Sequence, residues 1–543
     1  MTAESIIKRL GKIKSRHANF IGVWADCARY CVPNASPFST SVAKTVGGKK
    51  RQPIDIQGVL CNNTLAAFLY ANTIYSKEQW FDLKAMKKEV EGIEVADEEL
   101  NKVLEQAAKK TLEVISASNC VPIYQRFLRN YCGFGTAAFY SEFNSNNELI
   151  CRQFDISNIY IAENSKGIVD SVFREFEYTA RQAVQEFGEE NLSEEIKKAA
   201  SSNNDQDKVF TFIHAVFPRK KRIKGKKTPD NMPFASVYVE LNAKKVVLEG
   251  GYKTMPYQTP RFYDTGETYG RCPAMDALPA LRSLNSAQWG YLKNVEGQTK
   301  PILFAPEEVF DKMSLEFGSI NPWNSQNGDI KVWTPTGDIR SPLEYIQQRK
   351  EEISKVFYND VFQYLEDRKN MTATEAQLRY EEMIQAVSPV LANLQSEFFS
   401  PLIKRVVLEL FDRKQILIPE QYLSKDGKLP DFEVVYVTRL DTKLKGVLNA
   451  NLLNFVRMLA EISATLAQVP NAAAFVNFEQ IVKILAHNCN VSAEVLNSAE
   501  DVKQALEAMN QQAQMAQIQN MFKQIDVQKT PEKGSAQDLM LNG

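Results

Sequence analysis

Apolar positions in the first 31 residues recur at helical spacing. Ile6, Leu10, Ile13, Phe20, Val23, Trp24 and Cys27 share one face of a helix over 4–31, closed by Pro33. The Ser/Thr/Gly/Lys-rich stretch 34–55 reads as a loop. A second helix is expected over 56–75, with Leu60, Leu65, Phe68 and Leu69 as its apolar face, then a short strand at 79–83. Leu100, Leu104, Ala107, Leu112, Val114 and Ile115 predict one continuous helix over 97–132. From Phe134 the period drops to two. Runs at 137–143 and 149–154 flank Asn144-Ser145-Asn146-Asn147, turn chemistry that predicts a hairpin. Further strands are expected at 158–162, 168–177, 208–217, 234–241 and 245–249, interrupted by a short helix over 179–188.

Beyond Pro273 the pattern turns helical. One helix is expected over 274–297, with Pro279 in its first turn or at a kink. Residues 301–340 are irregular, with strand fragments such as Ile330-Lys331-Val332-Trp333. Ser341-Pro342-Leu343-Glu344 has the signature of a helix start, and the apolar repeat Ile346, Ile353, Phe357, Val361 and Leu365 carries that helix to about Leu365. After the polar break Glu366-Asp367-Arg368-Lys369-Asn370, Thr372-Ala373-Thr374-Glu375 is a second capping-box pattern. It opens a helical stretch to about Phe411, with kinks expected at Pro389 and Pro401. A strand at 432–438 and helices near 443–468, 474–488, 492–497 and 499–525 follow. In the last of these, Val502, Leu506, Met509, Ala513 and Ala516 recur at a spacing that suits packing between subunits or within the chain. Residues 527–543 read as a disordered tail. The fold class is α+β, predominantly helical.

Composition narrows the function. The chain has 543 residues, enough for several domains, and 44% of them are hydrophobic. The net charge of −1 argues against a protein that grips nucleic acid, yet permits one that DNA slides past. Arg219, Lys220, Lys221, Arg222, Lys224, Lys226 and Lys227 form a dense basic run without interleaved aromatics, which reads as an exposed loop. The eight cysteines follow no regular framework and read as free thiols. Neither a signal peptide nor a membrane span is expected, so the chain should be made in the cytoplasm and work without a membrane.

The motifs of enzymes are missing. No Gly-x-x-x-x-Gly-Lys-Ser/Thr loop occurs, Gly47-Gly48-Lys49-Lys50 and Gly225-Lys226-Lys227-Thr228 being fragments, and there is no Gly-x-Ser-x-Gly elbow. His17, His214 and His487 are far apart, and zinc-ligand spacing is absent. No residue is therefore assigned a catalytic or metal-binding role, and no cofactor is expected. A terminase-type packaging enzyme, the alternative from another class, would need a phosphate loop and clustered acids.

The segment Thr265-Gly266-Glu267-Thr268-Tyr269-Gly270-Arg271-Cys272-Pro273-Ala274, followed by Leu284-Asn285, resembles the head-to-tail connector (portal) family of short-tailed double-stranded DNA bacteriophages. Cys272 stands where small or Ser residues are common in the family. In the same order as in the family come Trp24 with Tyr30 and Pro33, Trp80-Phe81-x-Leu83, Gly133-Phe134-Gly135, Gly167-x-Val169-Asp170 with Arg174-Glu175, His214 to Pro218, Thr372 to Glu375, Glu397-Phe398 and Pro401-Leu402. The similarity spans about 10 to 510.

The resemblance implies a portal fold. An α+β wing would occupy 1–272, joined by a helix and strand at 373–440. The two-helix stem would be 273–300 and 341–365, flanking a small mixed clip at 301–340. A tunnel loop at 366–372 would project into the channel, and a helical crown at 441–526 would precede the tail. It implies a homo-oligomeric ring, a dodecamer, in the virion at one capsid vertex, the channel for DNA packaging and ejection. The partners would be the major capsid protein, scaffolding protein, terminase, tail adaptor or tail tube proteins, and DNA held transiently. Tunnel-loop residues Glu366, Asp367, Arg368, Lys369 and Asn370 would face DNA, as would Gln347, Gln348, Arg349, Lys350 and Lys355 on the stem. A mixed-charge wall suits passage, because a basic wall would trap DNA.

Overall fold

The computed structural model describes residues 2–33, 53–74, 79–86, 88–90, 93–95, 98–220, 222, 228–300, 302–304, 331–333, 340–359, 385–424 and 428–436, with isolated positions between 452 and 485. Residues 1–441 belong to one compact unit and 442–543 to another. The expectations for 361–384, most of 301–340 and nearly all of the C-terminal helices and tail lie outside the described residues.

Helix α1 (Ala3–Tyr30) buries a single stripe through Ile6, Leu10, Ile13, His17, Trp24 and Cys27. Helix α2 (Gln57–Thr73) follows, but Leu60, expected on its apolar face, is exposed, because Gly58, Cys61, Leu65 and Leu69 form the buried side. Strand β1 (Phe81–Ala85) precedes a small hairpin, β2 (Lys88–Val90) and β3 (Ile93–Val95). The continuous helix expected over 97–132 is two helices, α3 (Glu98–Ala117) and α4 (Cys120–Phe134). The break has a local cause. The Ser118 hydroxyl accepts from Cys120 N at 3.1 Å, while the Asn119 amide pairs with the Cys151 backbone in both directions, at 2.9 and 2.7 Å. Side chains that satisfy backbone groups in this way compete with helix continuation.

Strands β4 (Ala138–Phe143) and β5 (Leu149–Phe154) form the expected hairpin, with Asn147 at φ +64° in the turn. Strands β6 (Ile159–Glu163), β7 (Val169–Thr179), β8 (Val209–Pro218), β9 (Phe234–Glu240) and β10 (Lys245–Tyr252) make an antiparallel meander in the order β10-β9-β8-β7-β6. The N-terminal half of α1 covers one sheet face, packing Ile6, Leu10 and Ile13 against Phe173, Ile213 and Val237. Between β7 and β8 the chain makes α5 (Ala180–Phe187), started by a Thr179–Gln182 capping box, and α6 (Glu194–Ser201). Both contribute to a second core with Phe210, Phe212 and Val247. Strand β11 (Tyr257–Gln258) joins β4.

Helix α7 (Pro273–Asp276) is one turn, and α8 (Leu278–Thr299) carries Pro279 in its first turn, where a missing N–H costs nothing. Strand β12 (Ile302–Phe304) pairs with β13 (Lys331–Trp333). Helix α9 (Arg340–Val356) ends short of the Leu365 that its apolar repeat suggested. The chain turns at Phe357–Tyr358, with Tyr358 at φ +60° and its hydroxyl 2.6 Å from that of Tyr263. Residues 385–394 are helical, a π-helical turn occupies Gln395–Phe399, and α10 (Ser400–Asp412) follows. The π turn lies immediately before the kink expected at Pro401, which has no N–H to return to the preceding turn. Strand β14 (Phe432–Tyr436) pairs with β1, register Phe81 opposite Tyr436, so early and late segments close one body. Helix and sheet are mixed, as the α+β expectation requires, with more helix than strand among the described residues.

Candidate functional site

The site is a helical hairpin, α8 against α9, standing on a dense junction of loops. The junction explains why glycines fall where they do. Gly135 ends α4 at φ +74°, a left-handed cap. Its backbone touches Gly270 so closely that a Cβ on Gly135 would lie 2.3 Å from Gly270 O, and one on Gly270 would lie 2.6 Å from Gly135 O. Gly270 N donates to Thr136 Oγ1 at 2.8 Å, and Phe262 N to Gly135 O at 2.8 Å. Next in sequence, Tyr269 is buried against His17, Phe20 and Trp24. Its hydroxyl donates to Ile159 O and accepts from Ile161 N, each at 3.2 Å. Trp24 Nε1 donates to Phe134 O at 3.0 Å. Residues far apart in sequence thus fix the loop from which α7 and α8 emerge.

Arg261 locks the same junction from the side. Its guanidinium pairs with Glu397 at 2.5 Å and Glu163 at 2.5 Å and donates to Gly167 O at 3.0 Å, while its backbone N donates to Glu397 Oε2 at 2.8 Å. The π turn presents Glu397 to Arg261 and buries Phe398 and Phe399 beneath Tyr124. Burial raises the Glu163 carboxyl, and Arg261 works against that rise. Arg405 is likewise buried, donating to Ser141 O at 3.2 Å and Thr254 O at 3.0 Å. Neither arginine stands out in the sequence, since Glu397 and Glu163, Ser141 and Thr254 all lie far from them along the chain.

The hairpin's foot is built on Leu284-Asn285. Leu284 is buried, and Asn285 Oδ1 accepts from Ile54 N at 2.8 Å and Asp55 N at 3.2 Å, holding the segment that starts α2. From α9, Lys350 pairs with buried Asp55 at 2.8 Å, and Ser354 Oγ accepts from Gln57 Nε2 at 3.0 Å. Ile346 and Ile353 are buried on α9, and Phe357 is buried just beyond its end.

The proposed channel-facing residues of α9 therefore divide. Gln347, Gln348 and Lys355 are exposed, and Gln347 donates to Glu351 at 3.0 Å. Arg349 is half-buried, paired with Glu352 at 2.7 Å and lying over the Tyr345 ring, and Lys350 is engaged by Asp55. Glu366, Asp367, Arg368, Lys369 and Asn370 lie outside the described residues. From the basic run, Arg219 pairs with Glu249 at 2.9 Å and donates to Gly250 O, and Arg222 donates to Asn231 O at 3.2 Å. These contacts anchor the ends of a loop whose middle lies outside the described residues.

The buried titratable groups are structural. His214 shares hydrogen bonds with Tyr257 OH at 2.7 Å and Ser236 Oγ at 2.9 Å and stacks on Tyr238, and burial holds it well below the ordinary imidazole range. Burial also lowers His17, whose Nε2 faces Ile156 O. The seven cysteines among the described residues are free and buried, and burial pushes the thiols of Cys27, Cys31, Cys61, Cys132 and Cys272 up, the opposite of what a nucleophile needs.

The model of the family described as bacteriophage head to tail connecting protein matches residues 3–496. The portal protein of Salmonella phage epsilon15 is 26% identical over 533 residues, covering 95% of this chain and 93% of that protein. The probable portal protein of Bordetella phage BPP-1 is 24% identical over 479 residues, covering 86% of this chain and 84% of that one.

Proposed function

Because the chain belongs to the bacteriophage head to tail connecting protein family and serves as a phage portal protein, we propose that the α8–α9 hairpin is the stem of a ring through which DNA passes. On this reading residues 1–272 with 373–440 are the wing, 301–340 the clip, 366–372 the tunnel loop and 441–526 the crown. Twelve copies close the ring at one vertex of the virion. Its work is mechanical, without catalysis. The clip meets the terminase during packaging and the tail adaptor afterwards, and the wing meets the major capsid and scaffolding proteins.

The observation that carries the proposal is the outward face of α9. Glu344, Gln348, Glu351, Glu352 and Lys355 are all exposed, with both signs and neutral amides interspersed. A surface of that kind neither repels a polyanion strongly nor binds it. The hairpin that bears it is footed on buried hydrogen bonds, as a channel wall under load requires. Arg368 and Lys369 make transient phosphate contacts, which carry no sequence information and so suit packaging of any DNA.

The test is genetic. Phage carrying Arg368→Ala with Lys369→Ala should assemble heads but lose a measurable share of packaged or retained DNA. Unchanged packaging and unchanged retention would refute the tunnel-loop assignment. Reversing the α9 face with Glu344→Lys, Gln348→Lys and Glu351→Lys should slow packaging at low ionic strength more than at high, since the added attraction is screened by salt. Equal rates at both would refute the channel-wall assignment.

A further inference from the structure

We infer that Arg174 on β7, with Arg152 beside it on β5, forms a binding site for one carboxylate group, offered by an aspartate or glutamate side chain of another polypeptide. The site belongs to the five-stranded sheet and its neighbouring hairpin and does not depend on ring formation.

Among the described residues the buried arginines are Arg174, Arg261 and Arg405. Arg261 has Glu397, Glu163 and Gly167 O for its guanidinium, and Arg405 has Ser141 O and Thr254 O. Arg174 is 8% exposed and has no acceptor among the described residues. Its Nε is buried without a partner, whereas its two terminal nitrogens, equally unpartnered, are not fully buried. A buried charge without a counter-charge is costly, and an anion from outside relieves that cost. The carboxylates at hand are engaged elsewhere. Glu175 turns to the other face of the sheet, where it pairs with Lys14 at 2.6 Å. Glu142 accepts from the hydroxyls of Tyr140 and Tyr252. His214, opposite Arg174 on β8, is held neutral by burial and supplies no charge of either sign.

Geometry selects the anion. Arg174 Cζ lies 4.1 Å from the centroid of the Phe154 ring and 4.1 Å from that of Phe176. The rings belong to different clusters, Phe154 with Tyr140 and Tyr257, Phe176 with Phe212 and Tyr178, and the guanidinium is the layer that joins them. Aromatic stacking satisfies the faces of a guanidinium and leaves its N–H groups pointing outward in its own plane. A carboxylate is flat and meets such a fork with two parallel bonds in that plane. A tetrahedral phosphate would carry oxygens out of the plane, toward the rings, and the rounded backbone of a duplex would not reach a fork of which so little is exposed. Arg152 is exposed and stands two residues before Phe154 on β5, hence on the same strand face, where it adds a second positive charge. A lone carboxylate on one fork binds weakly, so a useful site needs further contact with its ligand. Phe154 and Phe176 are only half-buried and offer that contact to an apolar residue next to the acidic one.

The test uses the full chain at constant ionic strength. Replacing chloride by acetate should raise the melting temperature by about 1–2 °C. The rise should be absent in Arg174→Met and reduced roughly fivefold in Arg174→Lys, which keeps the charge and loses the fork. Arg152→Glu, at an exposed position, serves if Arg174→Met misfolds, and it too should abolish the rise. A capped glutamyl-phenylalanine dipeptide should give the same rise at a concentration about tenfold lower than acetate, through its added contact with the rings. An equal rise in the unaltered chain and in Arg174→Met would be a general salt effect and, like no rise at all, would overturn the site. A larger rise from inorganic phosphate, lost with Arg174, would overturn the carboxylate assignment. A dipeptide no more potent than acetate would overturn a polypeptide as the source of the carboxylate.

Discussion

The five-stranded sheet and the α8–α9 hairpin treat apolar side chains in opposite ways. The sheet is covered on both faces by its own chain, α1 on one and α5 with α6 on the other, and Phe173, Phe212 and Val239 are fully buried. The hairpin buries one face between its helices and leaves Trp289, Leu292, Leu343 and Tyr345 exposed. The sheet and its junction bury their apolar side chains within the chain, while on the ring reading the exposed side chains of the hairpin are covered by assembly. A given loss of apolar contact should therefore unfold the chain in one region and prevent its association in the other.

The comparison breaks most visibly at the junction. Trp24→Ala empties a fully buried site and removes the bond to Phe134 O, so it should cost ~3–5 kcal/mol, read as a lowered denaturation midpoint of the unassembled chain. Arg261→Ala strands Glu397 and Glu163 and should cost ~3 kcal/mol in the same measurement. Asn285→Ala leaves Ile54 N and Asp55 N without their acceptor and should cost ~1–3 kcal/mol, which is the boundary case because it weakens the foot on which the hairpin stands.

Acid offers a graded version. His214 and His17 are held neutral by burial, so the folded chain binds fewer protons than the unfolded one below the ordinary imidazole value of about 6.5. Stability contributed by the neutral forms is present above that pH and is lost as pH falls through it, by up to ~1.4 kcal/mol per pH unit for each histidine. Thermal melts at stepped pH should show this slope, and His214→Gln should flatten part of it. The smallest effect on the fold belongs to Trp289→Ala, expected to move monomer stability by less than ~0.5 kcal/mol while association falls sharply. A large loss of monomer stability from that variant would place Trp289 in the core and erase the contrast.

Much of this division was legible in the sequence, and the reasons differ by element. The alternation in 137–154 and the short helix expected over 179–188 rest on local signals, and local chemistry decided both structures, the helix starting at a Thr179 capping box. The Gly133-Phe134-Gly135 and Tyr269-Gly270 segments stood out by resemblance, but their meaning is a backbone-to-backbone contact across 135 residues, which no periodicity reports. The break at Ser118-Asn119 escaped the helical pattern because Cys151, its partner, lies on a distant strand. Leu60 fits the helical repeat of 56–75 and is exposed, since periodicity marks apolar positions without saying which of them the fold covers. The resemblance implied Arg349 and Lys350 as channel-wall charges, and what the sequence could not show is their pairing with Glu352 and Asp55, beside the exposed Gln348 and Lys355.

The central claim is that this chain closes into a portal ring. Native mass measurement with negative-stain imaging of the 61.5 kDa chain tests it most directly. Twelve subunits give a species on the order of 740 kDa that images as a closed ring with a central channel. A folded chain that remains monomeric at high concentration, with scaffold and shell proteins present, would contradict it.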